Sequence, residues 1–233
     1  MRHKPVTLKI LDLVSIILLF AAAYLAIVVA PTEKVMGEVQ RVFYFHVGTA
    51  WVALIGFVFT AVLSVIYLVT KNLKWDRIQV AAVEVSVVFF LITIILGSIW
   101  ARPAWNTWWT WDPRLTSTAI MTLTYAAYFM LRGSLDNGDR KRMLSAVFAI
   151  LAVTTVIVVI FITRVRPDTI HPTVIGPSPA DAQGSFAMAA NMGMTVGIGI
   201  LIWTTLITPV LIWWRIRLEN RNQRVEALRA ETL

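Results

Sequence analysis

Six long apolar runs constrain this chain more than anything else in it. They lie near Leu11–Ala30, Phe43–Val69, Val80–Ile99, Leu115–Leu131, Met143–Ile162 and Phe186–Trp214. Each approaches or exceeds the ~20 residues that carry a helix across a bilayer. In hydrocarbon every backbone N–H and C=O must be satisfied within the protein, so a spanning segment is a helix or a strand of a closed barrel. Barrel strands would alternate apolar and polar residues over about 10 positions, and these runs do not alternate. The pattern predicts an all-α polytopic membrane protein, a single transmembrane domain over 1–233 with six transmembrane helices. The chain is 15% charged and 58% hydrophobic, where a soluble domain is about 25% charged. The first run has a basic start, but its apolar part is longer than a signal-peptide core, so it is read as a retained span. There is no cysteine, which removes disulfides and thiolate chemistry from consideration.

Charge sets the expected orientation. Segments 1–10, 70–79, 132–142 and 215–233 hold 15 of the 21 Lys and Arg; segments 31–42, 100–114 and 163–185 hold 6. The positive-inside rule therefore places both termini in the cytoplasm and the second set of segments outside. The net charge of +8 follows from this bias and calls for a lipid bilayer, not nucleic acid, as partner. The cytoplasmic tail 215–233 reads as a solvated tail or a short surface helix. Gly193 and Gly197 in the sixth run make a small face suited to close helix packing within the bundle. Glu84, early in the third run, reads as a carboxylate reaching the inner interface or bonding a neighbouring helix.

Between the third and fourth runs lies Trp100-Ala-Arg-Pro-Ala-Trp-Asn-Thr-Trp-Trp-Thr-Trp-Asp-Pro-Arg114, with five of the ten tryptophans. Ordinary loops are rich in Gly, Ser, Asn and Asp. Indole anchors at a membrane interface are spread over helix ends, as Trp75, Trp203, Trp213 and Trp214 are expected to be. Five in twelve residues predict instead a platform for a large flat apolar ligand, built from Trp100, Trp105, Trp108, Trp109, Trp111 and Asp112. Asp112-Pro113 also matches a helix start, with Asp as N-cap and Pro at the first helical position.

Three histidines remain. His3 lies in the basic N-terminal tail. His46, in Phe43-Tyr-Phe-His-Val-Gly-Thr-Ala-Trp51, and His171, in Arg166-Pro-Asp-Thr-Ile-His-Pro172, share the expected outer face with the tryptophans. Two imidazoles cannot complete a four-ligand structural zinc site. They can fill both axial positions of a haem iron, with an aromatic surround and cations near the propionates. Arg102, Arg114 and Arg41 are on the correct side to be those cations. No phosphate-binding loop, nucleophile triad or carboxylate pair is present, so no catalytic residue is assigned and an energy-driven step would need another subunit.

The run from Trp100 to Ser117 resembles the tryptophan-rich "WWD" signature of the haem-handling membrane proteins of cytochrome c biogenesis. Size, six spans and flanking histidines are most similar to their haem exporter protein C family. The resemblance implies binding of haem b, carried as substrate, at the periplasmic or outer face of a bacterial inner membrane, with His46 and His171 as axial ligands to the iron. It implies delivery to a membrane-anchored haem chaperone. It also implies work alongside an ABC-type transporter membrane subunit, its ATPase and a small single-span subunit. Ala101 and Asn106 stand where the family commonly has glycine, which leaves less room for close backbone approach. Pro172 also departs from the family at the position after the loop histidine.

Two rival readings are weighed against this. A small-molecule transporter or channel subunit would use the tryptophans as a vestibule and needs polar residues along a midplane path; only Glu84 and Asn191 are conspicuous. A structural scaffold of an ABC transporter complex would depend on the glycines of the sixth run and not on the tryptophans.

Overall fold

The computed structural model describes residues 5–32, 37–136, 138–173 and 190–230. His3, Asn137 of the Asp136–Asp139 turn, the start of the expected sixth span at Phe186 and much of the 163–185 loop lie outside the described residues.

Every regular element among the described residues is helical. The order is α1 (Val6–Tyr24, continued by a π-helical turn Leu25–Val29), a short 3₁₀ turn Glu38–Gln40, α2 (Arg41–Thr70), α3 (Leu73–Trp105), α4 (Pro113–Ser134), α5 (Asp139–Val165), α6 (Ala190–Ile202) and α7 (Thr208–Ala230). A second π turn, Trp203–Ile207, joins α6 to α7 in one continuous rod. Among the described residues, five helical stretches are long and apolar enough to cross a membrane: 6–29, 38–70, 73–105, 139–165 and 191–227. The chain is a multi-pass helical membrane protein.

Helix α4 is the exception to the six expected spans. Its 22 residues reach about 33 Å at 1.5 Å per residue, long enough to cross, but it is too rich in Thr and Tyr to rank with the five apolar stretches. Its threonines are locally satisfied: Thr118 Oγ1 donates to Arg114 O, Thr122 to Thr118 O and Thr124 to Ile120 O, each at 2.9 Å. Such back-bonding hides the hydroxyl and leaves the methyl outward.

The bundle has two chemically different ends. At one, Ala26 and Ala30 after α1 meet Phe43 and Val47 of α2, Trp100 of α3, and Met192 and Val196 of α6. At the other, Asp12 of α1 accepts from Trp214 Nε1 of α7 at 2.7 Å, and Asp76 of α3 pairs with Arg132 of α4. Between them runs a core of Phe57, Phe90, Met121, Tyr125 and Val156, with Phe57 stacked on Tyr125 at 3.7 Å. The aromatic segment and the arginine-rich segments thus occupy opposite ends, as their charge partition requires.

Several sequence expectations are corrected. The aromatic stretch 100–114 is not all loop: α3 runs on to Trp105 through Pro103, and Asn106 ends it in the left-handed conformation (φ 56°). A proline near the end of a helix removes one N–H donor without requiring the chain to stop, because few turns follow it. The loop proper is 106–112. Trp203 is not an interfacial anchor; it packs edge-on against Phe89 at 5.7 Å. Gly193, Gly197 and Gly199 have nothing within 4 Å of where a Cβ would stand, so among the described residues they support no close packing in this bundle. The tail from Arg215 continues α7 to Ala230 as helix instead of forming a separate element. Glu84 bonds a neighbouring helix, pairing with Arg215 of α7.

Candidate haem site

The site begins with a register lock between α2 and α3. Thr93 donates its hydroxyl proton to Thr49 across the two helices at 2.9 Å, and Thr49 donates its own to Phe45 O at 2.8 Å. This holds His46, one turn before Thr49, against the face of α3 that carries Thr93 and Gly97, four residues apart. His46 Nδ1 lies 2.9 Å from the carbonyl oxygen of Thr93. A carbonyl only accepts, so Nδ1 carries the proton and Nε2 keeps its lone pair. The ring needs the space that Gly97 leaves. A Cβ on Gly97 would stand 2.8 Å from His46 Cε1 and 3.1 Å from Nδ1.

His171 is held by the segment after α5. Arg166 and Asp168 form an exposed bidentate pair at 2.7 and 2.9 Å. Buried Thr169 accepts from the His171 backbone N–H at 3.2 Å, and Thr173 reaches back to Thr163 at 3.5 Å. His171 Nδ1 is 3.0 Å from the carbonyl of Pro172, so by the same argument its Nε2 is the free nitrogen. Burial pushes the His171 pKa well below the ordinary histidine value, and the nearby Arg114 cation and His46 lower it further against the weaker pull of the Pro172 carbonyl. The ring is therefore neutral at pH 7, the form that binds a metal.

The two imidazole centroids are 6.3 Å apart with planes inclined at 46°. Both rings line one cavity of about 270 Å³ among α2, α3, α4 and α5. Trp105 extends the aromatic wall, its ring 6.1 Å from His171 and 5.1 Å from Trp100 in an edge-on arrangement. Leu54, Phe90 and Ile160 form apolar walls further along the helices.

The sequence-assigned residues divide. His46, His171, Trp100, Trp105, Trp108, Trp109 and Arg114 all line the cavity. Trp100 is itself only 5% exposed and anchors the end of α3 by donating to buried Gln40 at 3.1 Å. Trp111 is not on the lining; it is 74% exposed and packs edge-on against Trp109 at 5.7 Å. Asp112 caps α4 as expected, Oδ1 accepting from Leu115 N–H at 2.9 Å ahead of Pro113. Arg41 is engaged elsewhere, with Glu38 and with the carbonyls of Ala26 and Ala30 at 3.2 Å, where it closes the end of α1. Arg102 folds onto the Asn106 carbonyl at 2.6 Å. Neither lines the cavity. Arg164, at the end of α5, does.

Sequence reasoning missed Thr93, Gly97 and Arg164. A glycine four residues after a threonine in an apolar run is a faint signal of a side chain seated on that helix. Arg164 was visible as a cation flanking the fifth run but was not singled out. Three buried polar atoms in and beside the loop, Trp109 Nε1, Thr110 Oγ1 and Asp112 Oδ2, have no hydrogen-bond partner among the described residues. Buried polar groups are normally paired, so this rim is built to meet something further.

Comparison with known proteins gives a consistent match. A family model for heme exporter protein C matches residues 2–231. The heme exporter protein C of Paracoccus denitrificans (strain Pd 1222) is 30% identical over 200 residues, which cover 86% of this chain and 81% of that protein. Those of Rhodobacter capsulatus and Escherichia coli (strain K12) are 35% identical over 121 residues and 34% over 113, covering 52% and 48% of this chain and 50% and 45% of theirs. The chain spans about half the length of several of the curated relatives it matches. By the extent of the family match and the breadth of the Paracoccus alignment, the chain belongs to the heme exporter protein C family.

Proposed function

We propose that the protein binds haem b as a transient substrate and handles it for cytochrome c maturation, with His46 and His171 as the two axial ligands. The observation that carries this reading is the pair of imidazoles 6.3 Å apart on one aromatic cavity, each with Nδ1 tied to a backbone carbonyl. A metal–imidazole bond is about 2 Å, so two rings sharing one ion stand with their centres about 6 Å apart. A hydrogen bond at the far nitrogen fixes the tautomer and ring orientation of a ligating histidine. Both rings have that support before any ligand arrives.

The chain's own groups then divide the work. Trp105 and Trp109 offer indole faces and edges to the macrocycle, and apolar Leu54 and Ile160 exclude water. Arg114 and Arg164 neutralise the propionates, in place of Arg41 and Arg102, whose guanidinium groups serve the ends of α1 and α3. The Trp109 N–H is a further donor for a propionate. Capping by Asp112 fixes where the aromatic loop joins α4. The site faces the outer side of a bacterial inner membrane, following the positive-inside bias. Haem passes from it to a membrane-anchored chaperone. Turnover depends on a transporter membrane subunit, its ATPase and a small single-span subunit. This chain acts as a binding and transfer protein.

Absorption spectroscopy tests the ligation. The purified protein should carry a Soret band of a six-coordinate low-spin haem. His46→Ala and His171→Ala should each abolish that signature and lower haem affinity more than about 100-fold, beyond the cost of losing an outer-shell partner. A low-spin spectrum that survives removal of both histidines would end the proposal.

A further inference from the structure

At the arginine end, α3, α4, α5 and α7 enclose a second cleft of about 550 Å³. Its carboxylates are already taken. Asp76 holds both nitrogens of the Arg132 fork at 2.9 and 3.0 Å. Glu84 and Glu219 share Arg215, with contacts of 2.9 and 3.2 Å. Three more cations line the same cleft: Arg77, Lys141 and Arg142. Among the described residues Arg77 and Lys141 pair with no carboxylate. Arg142 pairs with Asp139, an exposed residue outside the lining, and also bonds Tyr67 of α2, while among the described residues its buried Nε has no partner.

The position of these cations adds a second argument. Arg140, Lys141 and Arg142 occupy the first turn of α5, which has no side-chain cap on its N–H groups. A helix start carries partial positive charge and favours anions. Three cations beside one aspartate there are unfavourable unless an anion joins them, and uncapped N–H groups with flanking cations form an anion site.

We propose that this cleft binds a phosphate group, and specifically the headgroup of an anionic phospholipid. The lining itself supplies the reason for a lipid. Leu73 and Val80 of α3 and Phe129 of α4 stand beside the cations as an apolar wall. Leu73 is 45% exposed, so this wall opens at the surface, where an acyl chain can lie. A headgroup in the cleft and an acyl chain on that wall satisfy both halves. Basic pockets between spanning helices at the positive side of a membrane protein are suited to such headgroups.

The test is native mass spectrometry of the full chain released from nanodiscs of phosphatidylcholine with and without phosphatidylglycerol. Wild type should retain phosphatidylglycerol over phosphatidylcholine. Arg77→Gln, Lys141→Gln and Arg142→Gln should each lower that retention by roughly fivefold, while Arg77→Lys keeps most of it. Unchanged helical circular dichroism separates loss of binding from loss of fold. In a second arm, millimolar inorganic phosphate is added to delipidated protein. A rise in Tm lost in the three Gln variants, with no headgroup preference in nanodiscs, supports the phosphate site and overturns the lipid as its source. Equal retention of both lipids with no effect of phosphate overturns the proposal, as does retention indifferent to all three substitutions.

Discussion

The two ends of this bundle handle polarity in opposite ways. Around the cavity at the tryptophan end, the two histidines and Trp100 are tied to uncharged groups: His46 to Thr93 O, His171 to Pro172 O, Trp100 to Gln40. What faces the cavity is aromatic surface, two unprotonated nitrogens and the guanidinium groups of Arg114 and Arg164. At the arginine end full charges meet full charges, Asp76 with Arg132 and Glu84 with Arg215. The first arrangement keeps ring nitrogens free for a metal. The second fixes helix positions by charge and leaves cations over. A site that takes up a metal needs lone pairs left free and held rigidly; the arginine end spends its carboxylates on joining helices and keeps cations for an anion.

The largest effect that would sharpen this contrast is at the arginine end. Asp76 is 5% exposed and its carboxylate is fully used by Arg132. Arg132→Ala leaves that carboxylate buried and unpaired, which costs about 3–5 kcal/mol. Unfolding in detergent should show the loss as a lowered Tm, while the haem spectrum of the remaining folded protein stays unchanged. A spectrum that changed with Arg132 would mean the two ends are not independent.

Next in size is a pair of glycines, one at each end. Gly97→Ala pushes a methyl into the His46 ring, an overpacking cost of about 1–3 kcal/mol. Gly133, near the arginine end, has nothing within 4 Å of its Cβ position. Gly133→Ala should therefore be neutral or slightly stabilising, since Ala is the better helix former. Haem titration of both variants decides the point. Weakened binding is expected for the first alone, and equal binding in both would deny Gly97 its role in seating His46.

How much of this could be read from the chain follows from the range of each interaction. Apolar runs, the Asp112-Pro113 helix start and the partition of Lys and Arg are local signals, and they placed the helices and separated the two ends. The convergence of His46, His171 and the tryptophans followed from counting spans. The partners of Arg41 and Arg102 did not follow, because a cation near a binding segment looks the same in sequence whether it faces the ligand or closes a helix. Trp100 was legible as part of an aromatic cluster but not as a core residue bonded to Gln40, sixty positions away. Thr93 and Gly97 were hidden because they look like any other residues of an apolar run until α2 is laid against α3.

A smaller effect tests the loop itself. Asp112→Ala removes the cap on Leu115 N–H, a loss of about 1 kcal/mol. The same carboxylate has a second oxygen with no partner among the described residues. If Asp112 serves only α4, Asp112→Asn should recover the stability and leave haem binding at the wild-type level. Weakened haem binding in Asp112→Asn at normal Tm would instead make the second oxygen part of the ligand-facing rim.

The smallest effect concerns protons. His171 has its pKa pushed down by burial first and by Arg114 next. A histidine in water is half protonated near pH 6.5. Labelled-histidine NMR of the haem-free protein should find His171 still neutral as pH falls through that value. The sign for stability follows from the depressed folded-state pKa. Above about pH 6.5 neither state holds the proton and the fold has its full stability. As pH drops below 6.5 the unfolded chain protonates first, and stability declines until the folded pKa is reached. Arg114→Gln removes one of the two leading causes, so it should raise the His171 midpoint part of the way back and make the acid loss of stability smaller, ending at a higher pH. No movement would mean that burial alone keeps this ring neutral, and that Arg114 is left to serve the ligand.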